Sequence, residues 1–287
     1  MKTRLLHILL ILPGLAAGPA AAGQPAAVDS AARYGHPAVK TVRLPLGQGY
    51  VLFRLRQYGE RRDRVFINLH ADEVSSVAAA RQLLQERGGV MIQLENQRQR
   101  RLYFRLGRHR YAIDPNRIFT RPGIVQTLVQ QGRYSEAAAD EVQRLARRIL
   151  RLVPAEASCI IALHNNREGY YSIESYQAGR EKTRDARRVY LDPGQAGDDL
   201  FLTTDDTLYE AMANLRYNTV LQDNARCRDD GSLSVYFGRR GRRYVNCETL
   251  RGKTGQYLAM IRSLYDILDD LDRRKGGAES GSPHTAP

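Results

Sequence analysis

Two histidines in this 287-residue chain follow directly on runs of buried-type residues. Val65-Phe66-Ile67-Asn68-Leu69 delivers His70, with Glu73 three residues on, and Cys159-Ile160-Ile161-Ala162-Leu163 delivers His164. A third run, Tyr244-Val245-Asn246-Cys247, delivers Glu248. A lone histidine after such a run is more often a satisfied polar residue than a ligand. Two at equivalent strand ends, one with a carboxylate three residues away, point to a metal. Two imidazoles and a carboxylate offer Zn²⁺ three protein ligands and leave its fourth position open, as a catalytic site requires. An ion so held polarises a carbonyl and acidifies water. A further carboxylate must then carry the proton from that water to a leaving nitrogen, and Glu248 is placed to do so.

The segment Asp114-Pro115-Asn116-Arg117-Ile118-Phe119 supplies a different chemistry. An arginine presents a planar fork that suits a substrate carboxylate, and the neighbouring amide of Asn116 fixes its orientation. Read alone, Asn116-Arg117 is equally a structural turn pinned by Asp114 and Pro115. Other polar groups weigh less. Asp198-Asp199 and Asp229-Asp230 lie in Gly-containing loops, where adjacent acids are usually solvated turns. Ser75-Ser76 sits at a helix start, where serine favours capping.

Taken in order, His70-Ala71-Asp72-Glu73, Asp114-Pro115-Asn116-Arg117, Leu163-His164 and Glu248 resemble the zinc carboxypeptidase superfamily, including its succinylglutamate desuccinylase and aspartoacylase branch. The resemblance covers about residues 60–265, and the intervals from Glu73 to Asn116 and to His164 resemble those of the compact desuccinylase-like branch more than those of the large digestive enzymes. It implies His70, Glu73 and His164 as zinc ligands, Glu248 as general base, and Asn116 with Arg117 as the grip on a substrate carboxylate. It also implies an arginine beside the polarised carbonyl, a role for which Arg110, just upstream of Asn116, and Arg101 are the two candidates. Two departures bear on the substrate rather than the metal. Ala71-Asp72 stands where Gly-Asn or Gly-Arg is frequent, and the stretch from His164 to Glu248 is long for a small-molecule deacylase.

The elements that must position these residues alternate. Strands are expected at Tyr50–Leu55, Arg64–Leu69, Val90–Leu94 and Cys159–Leu163, with shorter extended pieces at Leu102–Arg105 and Arg110–Ile113. Helices are expected over Val74–Arg87, where Gly88-Gly89 gives the stop, and over Ser135–Leu152, Thr207–Leu215 and Gln256–Asp272. Ser232–Phe237 and Arg243–Cys247 read as a hairpin turning at Gly241. Strands alternating with helices give an α/β three-layer sandwich, with a mainly parallel central sheet and helices on both faces. In such a sheet, active groups collect at the carboxyl ends of the strands.

The termini suggest a compartment. Lys2 and Arg4, an apolar stretch from Leu5 to Ala17 and Ala20-Ala21-Ala22 have the layout of a cleavable signal peptide over residues 1–22. Residues 23–40 read as a linker, 41–274 as the hydrolase domain and 275–287 as a disordered tail. The expected setting is therefore exported, and periplasmic. Three cysteines cannot form a disulfide framework, though Cys227 and Cys247 are a possible pair in an oxidising compartment.

The formal net charge of +13 raises the question of nucleic acid. The arginines are scattered in pairs such as Arg61-Arg62 and Arg239-Arg240, with no nucleic-acid motif, so no nucleic-acid partner is expected. Anionic cell-wall polymers or lipid surfaces would feel the same field. With no later span for a membrane, the expected partner is a peptide or acyl-amino-acid substrate. The reading is a zinc amide hydrolase of carboxypeptidase type acting on cell-wall peptides with a free carboxylate. An N-acyl amino acid deacylase and a non-catalytic peptide-binding module are the alternatives, and an intact Glu248 speaks against the second.

Overall fold

The structure, a computed structural model, describes residues 33–279. The signal-peptide segment, most of the linker and the end of the tail lie outside the described residues. Among the described residues, eleven strands and six α-helices follow one another in a broadly alternating order. The first half contains β1 (Ala38–Leu46), β2 (Gly49–Tyr58), β3 (Arg64–Asn68), α1 (Val74–Arg87), β4 (Gly89–Glu95), β5 (Leu102–Leu106) and β6 (His109–Ile113). Then come α2 (Arg121–Gln130), α3 (Glu136–Leu150), β7 (Cys159–Asn166), β8 (Ala186–Tyr190), β9 (Leu200–Thr203) and α4 (Asp206–Asn214). The chain continues through β10 (Thr219–Gln222), α5 (Leu233–Gly238), β11 (Tyr244–Leu250) and α6 (Thr254–Glu279).

Nine strands form one mixed sheet in the order β1-β2-β4-β3-β7-β11-β9-β10-β8. Its centre, β4, β3, β7 and β11, is parallel, and antiparallel ribbons close both edges. β3 and β7 are buried at every position, as strands covered on both faces must be. One core layer packs Val142, Leu145 and Ile149 of α3, with Ile124 and Leu128 of α2, on Ile67, Ile92 and Ile160. The other packs Leu83 and Leu84 of α1 and Ile261 and Leu264 of α6 on Phe66, Ile161 and Val245. Helices thus cover both faces, and the expected three-layer α/β sandwich is the observed one.

Local sequence explains most element ends. Ser135 caps α3 by accepting the Ala138 N–H at 3.2 Å, and Thr120 caps α2, with Pro122 in its first turn. At the amino ends of the strands, Arg64 is fully buried and donates to Asp63, Ser158, Asp269 and Asp272, tying β3 to α6.

Three expectations need correction. Ser232–Phe237 is not a strand: Leu233–Gly238 forms α5, with Ser232 capping it. Both edges of β11 are already taken, by β7 and β9, so no hairpin partner fits there. Cys227 and Cys247 are both free. Cys247 faces the layer of α1 and α6, whereas Cys227 lies in the loop between β10 and α5. The last helix begins at Thr254 and continues to Glu279, into the stretch read as a tail, and β1 begins at Ala38, within the stretch read as a linker. Among the described residues, no helix is long and apolar enough to cross a membrane.

Candidate metal centre

β3 and β7 are neighbours in the parallel centre, and their carboxyl ends bring His70 and His164 together. Between β3 and α1 the chain makes one tight turn, closed by the Glu73 N–H donating to His70 O at 3.1 Å. Glu73 therefore stands at the first turn of α1. No side chain of the turn itself caps that helix. Asn165 of β7 does so, its Oδ1 accepting from Ser76 N at 3.0 Å and from Ser75 Oγ at 2.9 Å. Ser75 and Ser76 are thus used for structure, and Ser76 Oγ donates back to Glu73 O. The residue after His164 fixes the helix that carries Glu73.

His70 Nδ1 lies 3.1 Å from Glu73 Oε1, and His164 Nδ1 lies 3.0 Å from Glu73 Oε2. All three side chains are buried, and their ligand atoms lie within 4.8 Å of one another. A tetrahedral zinc with donors at about 2.0–2.1 Å separates neighbouring donors by roughly 3.3 Å, so the donor set fits. The partner of the other nitrogen supports this. His70 Nε2 is 2.8 Å from Asp114 Oδ1, which can only accept. The Nε2–H therefore donates to Asp114, and in a neutral ring the Nδ1 lone pair faces the Glu73 carboxylate. Only a cation or a proton between them makes that arrangement favourable. A carboxylate behind a ligating imidazole is also the usual way such a ligand is oriented.

The electrostatics agree. Burial alone would lower the affinity of the His70 ring for a proton, but the carboxylates of Glu73 and Asp114 outweigh it and raise the ring to about 9. Burial would raise Glu73, yet the two imidazoles hold it well below the ordinary carboxylate range. Asp114 is likewise held low, against its burial, chiefly by His70. Glu248 goes the other way: burial raises it, with His164 pulling it partly back. It stands directly across from His164 in the β11–β7 pairing and accepts from Asn246 Nδ2 at 3.1 Å. Tyr257 of α6 joins the two strands here, accepting the His164 N–H at 3.1 Å and donating to Cys247 O at 2.8 Å.

A cavity of about 440 Å³ opens over the cluster, and His70, Glu73, Asn116, Arg117, His164 and Glu248 all line it. Asn116 is held from three sides. Its N–H donates to Asp114 Oδ1, its Oδ1 accepts the Leu233 N–H of α5, and its Nδ2 is 3.4 Å from His164 Nε2. Arg117 donates to Asn116 O at 2.9 Å and lies 3.6 Å from Asp230 Oδ2. Its backbone is seated by two glycines. A Cβ on Gly123 would come within 2.2 Å of Gly231 Cα, and one on Gly231 within 2.5 Å of Arg117 O. The inner wall is polar, with the Tyr171 and Tyr176 hydroxyls 2.7 Å apart.

Arg110 is placed elsewhere. It lies on β6 with its guanidinium 4.8 Å from the Tyr103 ring centroid, on the outer face of the β5–β6 hairpin. It does not line the cavity, and neither does Arg101. The arginine at the cluster is Arg100, which donates to Glu73 Oε1 at 2.7 Å. Arg100 and Arg101 both lie in the bend before β5, where no strand period applies, so the sequence carries no pattern that singles out Arg100.

No protein-family model matches the sequence, and no curated protein matches it. Among solved structures the chain is similar to an aspartoacylase family protein from Mesorhizobium loti, at 16% identity over 79% of this chain and 65% of that one, with a TM-score of 0.43. The chain thus spans less than two thirds of that protein's length. It is similar also to bovine thrombin-activatable fibrinolysis inhibitor, solved with tick carboxypeptidase inhibitor (13% identity, 81% and 91% coverage, TM-score 0.43). A third is murein-tripeptide amidase from Escherichia coli O157 (12% identity, 82% and 94% coverage, TM-score 0.42). These likenesses are distant, and the chemistry of the site is read from its own residues.

Proposed function

We propose that the chain is an exported, zinc-dependent amide hydrolase of carboxypeptidase type. It cuts an amide beside a free carboxylate, with peptides of cell-wall origin as its first substrate class. The observation that supports this most is the convergence of His70 Nδ1 and His164 Nδ1 on the two oxygens of Glu73.

In this reading His70, Glu73 and His164 hold the zinc. When bound there, zinc supplies a Lewis acid for the scissile carbonyl and acidifies the attacking water. Glu248 is the base. Its buried carboxyl is raised above the usual range, so it takes a proton from the water readily and returns it to the leaving nitrogen. Arg100, at the mouth of the cluster, sets a fixed positive charge where the carbonyl oxygen becomes negative. Arg117 binds the substrate carboxylate with its fork, and Asn116 fixes the orientation by a hydrogen bond.

The test is hydrolysis of N-acylated dipeptides by purified, zinc-loaded protein. Free-acid dipeptides are expected to be cut, with loss of activity on chelation and recovery with zinc. Cleavage of simple N-acyl amino acids but no dipeptide would replace this reading with a deacylase.

A further inference from the structure

The cavity over the cluster does not end at the residue proposed to hold the substrate carboxylate. Arg117, Lys182 and Asp230 line it, and the same three residues line a second cavity of about 230 Å³. The two cavities therefore lie side by side and share this trio as a wall. Beyond it, the second cavity runs along α2 past Gln126, Thr127 and Gln130.

The walls of this groove state what they can bind. None of the lining side chains is aliphatic or aromatic, so an apolar group would gain little there. Its charges balance, with Arg117, Lys182 and Arg228 against Glu181, Asp185 and Asp230. That balance disfavours a polyanion or a polycation. Several of these charges are already committed. Asp185 accepts the Arg228 N–H at 2.8 Å, and Asp230 accepts the Ser232 N–H at 3.0 Å. The side-chain amides of Gln126 and Gln130 lie one helical turn apart on α2 and make no hydrogen bond among the described residues. Each offers a donor and an acceptor, which is what a peptide group requires. Lys182 has no carboxylate partner among the described residues, and its Nζ lies 5.8 Å from the Tyr171 ring centroid.

We infer that this groove is a second subsite, for a polar, peptide-like arm carried on the side chain of the residue that is released. The inference rests on the reading of the site as a hydrolase of amides beside a free carboxylate. The α-carboxylate of that residue stays at Arg117. Its side chain passes over Asp230 and Lys182, and its amide groups meet Gln126 and Gln130.

Three N-acylated dipeptides test this, alike except for a C-terminal alanine, lysine, or lysine acylated on Nζ by glycylglycine. The branched substrate is expected to exceed alanine at least tenfold in kcat/KM. The double variant Gln126→Trp, Gln130→Trp fills the groove from two exposed positions. It should remove that advantage while leaving alanine cleavage and Tm as in the parent. An unchanged ratio in the variant, or a branched substrate cut no better than alanine, overturns the inference. So does preference for a chain extended by glycylglycine at its α-carboxyl, which would make the groove a main-chain subsite. Calorimetric binding of free Nζ-(glycylglycyl)-lysine against lysine provides a readout independent of hydrolysis. Tighter binding of the branched compound, lost in the variant, supports the groove even where no amide is cut. Equal binding counts against the groove even where dipeptides are hydrolysed.

Discussion

Glu248 stands directly opposite His164 in the parallel pairing of β11 with β7. One strand thus carries a proposed ligand and the next carries the proposed base, and the register of the sheet sets their relation. Tyr257 reinforces it by bridging His164 N and Cys247 O. Replacing Glu248 by glutamine keeps the size and a hydrogen-bonding group but removes the base. Turnover is expected to fall by roughly 10²-fold or more while zinc content stays. Activity near that of the parent in kinetic assays of Glu248→Gln would move the base elsewhere.

Arg100 and Arg110 give opposite expectations. Arg100 reaches Glu73 at the cluster, so Arg100→Ala should lower kcat by about 10²-fold, in the range of a lost oxyanion donor. Arg110 rests on Tyr103 outside the cavity, and Arg110→Ala should leave kcat and KM within about twofold. The pair of kinetic measurements, taken at equal zinc loading, decides between them.

The carboxylate grip is tested by amidation. Peptides with a free C-terminus should be cut, and the same peptides amidated should be poor substrates. Arg117→Ala should shrink the difference by lowering activity on the free acid far more than on the amide, because a charge pair that becomes buried when the substrate binds is costly to truncate. Equal cleavage of both forms by the parent enzyme would make Arg117 structural.

The base of the sheet has its own pH signature. Asp63 and Asp269 pair with Arg61 and Arg64, and despite their partial burial both are held below the ordinary carboxylate value of 3.8. Because these folded values are depressed, the stabilisation is complete above the unfolded value and is lost as pH falls through the folded ones. Arg64→Met should destabilise by about 1–3 kcal/mol near neutrality. It should also flatten the acid limb of Tm against pH. A variant whose acid limb matches the parent would remove this network from the account of acid unfolding.

The parts of the fold legible in the sequence are those with long, unambiguous patterns. In the sequence, continuous buried-type runs lead into His70 and His164, and α1 has a stop at Gly88-Gly89, so His70, Glu73 and His164 fall together at the carboxyl ends of neighbouring strands. β8, β9 and β10, of four or five residues each, carry too few residues to show a period, and α2 is obscured by Pro122 and Gly123. Ser232–Phe237 fits a strand by composition. Only the pairing of β11 on both sides and the cap at Ser232 make it a helix. Arg110 is suggested by its closeness in sequence to Asn116, but on β6 it alternates with the inward Tyr111 and Ile113 and so faces out.

The central claim is that His70, Glu73 and His164 hold a zinc ion. Elemental analysis of the gently purified protein, compared with His164→Ala, measures it most directly. The parent should carry close to one zinc per chain, and His164→Ala should lose most of it. A parent that carries none, and neither binds nor is activated by added zinc, would contradict the account.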